Sequence, residues 1–290
     1  MEKICHFSLL IVLSLSTFGP NLVNADAQQP APPPIFILGD STADVGTNSY
    51  IPDCNATANF PHNGIDFVHS RPTGRFSNGL NSADHLARLF GYNSSPPPFL
   101  FLHSLKYGLQ LGIYRGVNFA SGGSGLLDET GLQLTLYSLG ARKFGIISVP
   151  PVGCCPANRL LNATKCFEPM NDFARCFHSA LDKLMCNLSS ELHGMKYALG
   201  DTYKMTIDVI DNPRPFHFSN VDTACCGHGT LNAEGICNAT ANLCSDRRKF
   251  VFWDLFHPTQ AAAQLAATTL YGGPTQYVSP INFAQLAAEN

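Results

Sequence analysis

Ile35-Phe36-Ile37-Leu38-Gly39-Asp40-Ser41-Thr42-Ala43-Asp44-Val45-Gly46 is the stretch on which the fold turns. Four consecutive bulky apolar residues predict a short strand buried on both faces, the kind found in a parallel sheet. Gly39 ends the run and two small polar residues follow. Open α/β sheets keep their ligands beyond the carboxyl ends of their strands, so a hydroxyl on that turn is well placed for chemistry. Ser41 is therefore a candidate nucleophile, although these residues alone fit a plain Gly-Asp-Ser turn equally well.

A second stretch, Phe250-Val251-Phe252-Trp253-Asp254-Leu255-Phe256-His257-Pro258-Thr259, breaks that tie. A serine hydroxyl needs a base to take its proton, usually a histidine held by a carboxylate. Asp254 and His257 are three residues apart, a spacing that sets both side chains on one side of a helical turn or tight loop. Gly-Asp-Ser after an N-terminal strand, together with Asp-x-x-His before a C-terminal helix, resembles the GDSL-type (SGNH) hydrolases, specifically the plant GDSL esterase/lipase family.

More of the chain extends the likeness. Asp44 and Gly46 complete a Gly-Asp-Ser-x-x-Asp-x-Gly block, with Thr42 where the family name has leucine. Asp44 is read as holding the turn. Arg71-Pro72-Thr73-Gly74-Arg75-Phe76-Ser77-Asn78-Gly79 looks like the family's Pro-Thr-Gly-Arg-Phe-Ser-Asn-Gly segment, and its arginines are read as pinning a loop beside the site. Gly116-Val117-Asn118-Phe119-Ala120-Ser121-Gly122-Gly123-Ser124-Gly125 runs from a short strand into glycines whose amides can approach a ligand closely. It resembles the family's second block, which implies that the amides of Ser41 and Gly122 face the oxyanion of a tetrahedral intermediate. Neither a phosphate-loop lysine nor Gly-x-Ser-x-Gly is present, which argues against nucleotide binding and the other large serine-hydrolase class.

One block is missing. The family's third block, Gly-x-Asn-Asp, supplies an asparagine oxyanion donor, and it occurs nowhere in this chain. Several dozen residues are expected to be absent around Gly131/Leu132. The resemblance implies a three-layer α/β/α sandwich around a flavodoxin-like parallel sheet of order 2-1-3-4-5, here without its central third strand. Residues 132–143 then supply a crossover, and 144–149 either slides into the vacant place or the chain folds poorly. Periodicity and stop signals predict helices over 81–90, 173–192, 202–211 and 258–271, and strands over 144–149 and 195–199, the last being the final strand.

Composition agrees with a secreted enzyme. Of 290 residues 45% are hydrophobic and 13% charged, which suits one globular α/β domain over 35–290. A net charge of -3 without basic runs argues against nucleic acid or an anionic membrane as partner. Residues 1–25 read as a signal peptide too short in its apolar part to span a bilayer, and 26–34 as a Pro-rich leader. Cys5 leaves with the signal, and the ten remaining cysteines are expected to pair as disulfides. Cys225, Cys226, Cys237 and Cys244 fit no zinc spacing, and no metal or cofactor is expected. Asn55, Asn93, Asn162, Asn187 and Asn238 are glycosylation sequons. The resulting expectation is a carboxylic ester hydrolase with Ser41 as nucleophile, His257 as base and Asp254 as its orienting acid. Its substrate would be a small-molecule, lipid or cell-wall ester, and its turnover would be weakened by the missing donor. The rivals are an acyltransferase on the same residues and a non-catalytic secreted protein. Acyl length and oligomeric state are not encoded in these motifs.

Overall fold

The computed structural model describes residues 32–125 and 141–289. The signal peptide, most of the leader, the 131/132 junction and most of the 132–143 crossover lie outside the described residues. Ile35–Ile37 (β1) pairs in parallel with Gly116–Asn118 (β2), Ile35 opposite Gly116. Lys143–Ile147 (β3) pairs in parallel with Lys196–Gly200 (β4), and Val278–Ser279 adds an antiparallel edge to β4. Parallel strands joined through helices make this an α/β fold. The strand at 196–200 is therefore internal to its sheet and not the final one.

Among the described residues no strand joins β1 to β3, so two ladders stand where one sheet was expected. Residues 144–149 have not moved beside β1: β3 keeps β4 as its neighbour. Consequently β1 is not buried on both faces. Phe36 and Leu38 are 49% and 50% exposed. Burial on both faces needs a packed layer on each, and β2 is the one strand β1 touches among the described residues.

Local signals set the helix ends. Asn81 and Asp84 form a reciprocal capping box at the start of the Ser82–Leu89 helix, and Gly91 takes a φ of 94° just after its end. Asp201 caps the Thr202–Asp211 helix by accepting from the Lys204 amide at 2.9 Å. Thr259 does the same for Gln260–Gly272 through the Ala262 amide at 3.2 Å. The long helix begins earlier than its apolar periodicity, at Glu168–Glu191, because Pro169 suits a first turn. Part of its apolar stripe faces outward, with Phe173 76% exposed. One core gathers Ala198, Leu270, Val278 and Phe283, and a second gathers Val209, Phe218, Val251 and Phe252.

The cysteines correct the expectation of complete pairing. Cys154–Cys166, Cys225–Cys244 and Cys226–Cys237 are disulfides, whereas Cys54, Cys155, Cys176 and Cys186 are free. Cys176 and Cys186 sit ten residues apart on one helix, about 15 Å along its axis, far beyond disulfide reach. Cys155 is buried, and burial followed by the nearby Asp254 charge pushes its thiol up to about 12. The four cysteines weighed against a zinc site are all disulfide-bonded.

Candidate active site

The turn that carries Ser41 is held from three directions. The Asp40 carboxylate accepts from the Thr42 amide at 2.9 Å and its hydroxyl at 2.7 Å, while the Asp40 carbonyl accepts from the Ala43 and Asp44 amides. Asp44 is wholly buried, and its carboxylate accepts from the amides of Gly46, Thr47 and Gly122 at 2.7, 2.7 and 3.0 Å. Asn118, also wholly buried at the end of β2, donates to the Ala43 carbonyl at 2.9 Å. Buried polar groups persist only when hydrogen-bonded, so these residues have little freedom to let the turn move. The loop read as an arginine-pinned strap behaves so at one of its arginines: Arg75 forks onto buried Asp84 at 2.6 and 2.8 Å.

The turn that carries His257 is anchored by a different device. Phe250–Phe252 pairs in parallel with Asn220–Ala224, and Trp253 beyond it is fully buried among Cys225, Cys226 and Cys237. Its indole donates to Asn63 at 2.9 Å, and its amide donates to the His257 carbonyl at 2.7 Å. The cysteines of the two disulfides of this loop thus pack with Trp253, the residue from which the Asp254–His257 turn departs. Asp254 Oδ1 accepts from the amides of Phe256 and His257 at 3.0 and 2.9 Å, closing the turn on the carboxylate itself.

These two turns meet. His257 Nε2 lies 2.8 Å from Ser41 Oγ, and Nδ1 lies 2.8 and 2.9 Å from the two oxygens of Asp254. Phe76 lies against the imidazole with ring centroids 4.9 Å apart. Burial disfavours the charged imidazole, but Asp254, through charge and hydrogen bond, and Asp40 outweigh it and hold His257 above its ordinary value. Burial likewise opposes the Asp254 charge. His257 and the two turn amides overcome it and hold that carboxyl below the usual range. A pair shifted apart in this way keeps the carboxylate ionised and the imidazole basic.

Gly122 is placed differently from its expected role. Its amide donates to Asp44 and does not stand free for an oxyanion. Its carbonyl accepts from Asn48 Nδ2 at 2.9 Å, so both polar backbone groups of Gly122 are committed. The Ser41 amide has no acceptor among the described residues. The structural asparagines Asn48 and Asn118 were not picked out by sequence reasoning; an asparagine inside an otherwise apolar strand, as at Val117-Asn118, was the available signal. Of the sequons, Asn55, Asn93, Asn162 and Asn187 are exposed, and Asn238 is half-buried with its side chain accepting from Thr240.

A hydroxyl, an imidazole and a carboxylate in hydrogen-bonded sequence on an α/β scaffold are the arrangement of a serine hydrolase. The sequence model of the GDSL-like lipase/acylhydrolase family matches residues 130–270. GDSL esterase/lipase At5g55050 of Arabidopsis thaliana is 33% identical over 364 aligned positions, covering 96% of this chain and 96% of that protein. GDSL esterase/lipase At1g71250 is 30% identical, covering 97% and 95%, and GDSL esterase/lipase 6 is 30% identical, covering 99% and 98%, both from the same plant. The chain belongs to the GDSL esterase/lipase family and is a hydrolase of that type. Since 96% of 290 residues is about 278, about 86 of the 364 positions aligned with the first relative have no residue here.

Proposed function

We propose that this protein is a secreted esterase that cleaves carboxylic esters through an acyl-enzyme. The observation that carries this reading is the 2.8 Å contact between Ser41 and His257, residues 216 apart in sequence. Ser41 Oγ attacks the ester carbonyl carbon as His257 Nε2 takes its proton. The tetrahedral intermediate collapses, the C–O bond to the alcohol breaks, and His257 returns the proton to the leaving alkoxide. Water then attacks the acyl-Ser41 carbonyl, again deprotonated by His257, and the acid leaves with Ser41 restored. Asp254 keeps Nδ1 protonated and balances the imidazolium.

Turnover is expected to be modest. The Ser41 amide is the uncommitted oxyanion donor, Gly122 is tied to Asp44, and the Gly-x-Asn-Asp block is missing from the sequence. Loss of one such donor typically costs about 10²–10³ in kcat. The positions without counterpart in the alignment and the interrupted ladder between β1 and β3 support an internal segment missing near 131/132. Secretion is supported by the pattern of residues 1–25, the three disulfides and the exposed sequons. Hydrolysis of a short-chain p-nitrophenyl ester tests the reading: Ser41→Ala should fall to the uncatalysed rate, and equal rates for variant and parent would reject it. With an alcohol acceptor present, free acid as the sole product excludes acyl transfer.

A further inference from the structure

The Glu168–Glu191 helix turns one face inward, through Asn171, Ala174 and Met185, and carries an apolar stripe on another. Phe173 and Leu184 are 76% and 51% exposed, and Cys176 and Ala180 between them are exposed as well. At about 3.6 residues per turn, positions 173, 176, 180 and 184 follow one another along a single side, with half-buried Phe177 at its border. Apolar residues scattered singly on a surface need no partner, whereas a continuous run of them marks a contact surface. The stripe belongs to neither of the turns that carry Ser41 and His257.

Its shape and its charges fit a second copy of itself. The stripe is bulky at Phe173 and Leu184 near its ends and small at Ala180 between them. Two such helices laid antiparallel about a two-fold axis between positions 178 and 179 set Phe173 against the partner's Leu184 and Phe177 against the partner's Ala180, and the reverse. Asp172 and Lys183 share the flank of the stripe that faces away from the protein body, and both are exposed. The same axis keeps that flank of both helices on one side. At a rise of about 1.5 Å per residue, it leaves Asp172 and the partner's Lys183 only about 3 Å apart along the helix direction, twice over. Lys183 has no ion pair among the described residues, and Asp172 pairs with Arg175 alone. A parallel, in-register pairing would instead oppose Asp172 to Asp172 and Lys183 to Lys183, so charge selects the antiparallel direction. Asn187, a sequon one turn past Leu184, lies beyond the Phe173–Leu184 contact and marks where the interface ends. We propose that this face joins two copies of the chain in an antiparallel, two-fold dimer. Five residues a side fall well short of the about 20–30 of a standard interface, so the dimer is weak and concentration-dependent.

Sedimentation equilibrium of the whole mature protein, from low to high micromolar concentration, tests this. The weight-average mass should climb towards that of two chains. Phe173 is mostly exposed, so Phe173→Ser should fold normally and remain monomeric over the same range. Lys183→Asp should weaken association about tenfold, since two favourable pairs become two repulsive ones. Adding Asp172→Lys to it exchanges the charges and should restore the parental dissociation constant. Thiol labelling gives a second readout, because Cys176 lies on the stripe and Cys186, on the same helix, lies off it. Both should react when the protein is dilute, and only Cys176 should slow as it is concentrated. A monomer at every concentration overturns the proposal. So does a dimer indifferent to Phe173→Ser, a charge exchange that associates no better than Lys183→Asp alone, or equal protection of the two thiols.

Discussion

Replacing Asp254 by asparagine separates the geometry of the site from its charge. The carboxylate receives four contacts: Nδ1 of His257 at 2.8 and 2.9 Å, and the amides of Phe256 and His257 at 3.0 and 2.9 Å. Asparagine retains Oδ1 for the two amides, so the turn and the fold should survive. The other oxygen becomes an NH₂ facing Nδ1, which favours the tautomer protonated at Nε2. That nitrogen then points a proton at Ser41 and cannot accept one. In a Ser-His-Asp site this substitution lowers kcat by about 10⁴, which at about 1.36 kcal/mol per decade is about 5.4 kcal/mol of barrier. The pH profile should move too. Asp254 is the chief influence holding His257 above its ordinary value; without it the imidazole stays neutral to lower pH, so the acid limb of kcat/KM shifts downward while the whole curve drops. The assay is ester hydrolysis from pH 4 to 9, with circular dichroism and melting confirming the fold. A folded variant that retained more than a tenth of parental kcat/KM, or whose acid limb stayed in place, would refute the triad assignment.

Three further outcomes follow from the same contacts. Arg75→Met leaves Asp84 buried and uncompensated, which typically costs about 3–5 kcal/mol; differential scanning calorimetry should show Tm falling by about 6–20 °C at about 2–4 °C per kcal/mol. Asp84 and Asp254 both titrate lower in the folded chain than free, so their stabilisation is complete above the unfolded value near 3.9 and is lost as pH falls through the folded values; scanning calorimetry should show Tm dropping steeply below about pH 4. Thiol titration of the native protein should label Cys176 and Cys186, which are exposed, and spare Cys155, whose thiol is pushed up to about 12; denaturation without reductant should release it.

What could be read from residues depended on how local the cause was. Asn212-Pro213 after the Thr202–Asp211 helix is a stop signal written in neighbouring positions, and that end was legible, whereas the Asp201 cap at its start emerged from the structure. That Ser41, Asp254 and His257 come within hydrogen-bond reach of one another was legible because nucleophilic chemistry demands those groups in a recognisable order. The commitment of the Gly122 amide was not, because its acceptor, Asp44, comes from 78 residues away. Cysteine pairing escaped for the same reason: parity and compartment bound the count, but partners are set by which loops fold together. Periodicity located the 168–191 helix yet said nothing of what covers Phe173, since amphipathicity marks an apolar face without naming its partner.

That the Ser41 and His257 turns meet, although no described ladder joins their strands, has a physical cause in the 63–80 loop. Ser41 lies on the turn after β1 and His257 on the turn after the Phe250–Phe252 strand, and no described ladder connects those strands. The loop ties them instead. Asn63 accepts from the Trp253 indole, Asp66 pairs with Arg247, and Phe76 packs on His257. Asn78 accepts from the Gln260 amide at 2.8 Å, and the Leu80 amide donates to Gln260 Oε1 at 2.7 Å. On its other side the same loop reaches the nucleophile, through Asn81 donating to the Asp44 carbonyl and Arg75 fixing Asp84 in the following helix. Register between hydroxyl and imidazole is therefore carried by side-chain bonds from one strap and by packing of the Ser82–Leu89 helix on Gln260–Gly272. A sheet can lose continuity under such a strap without separating the reacting groups.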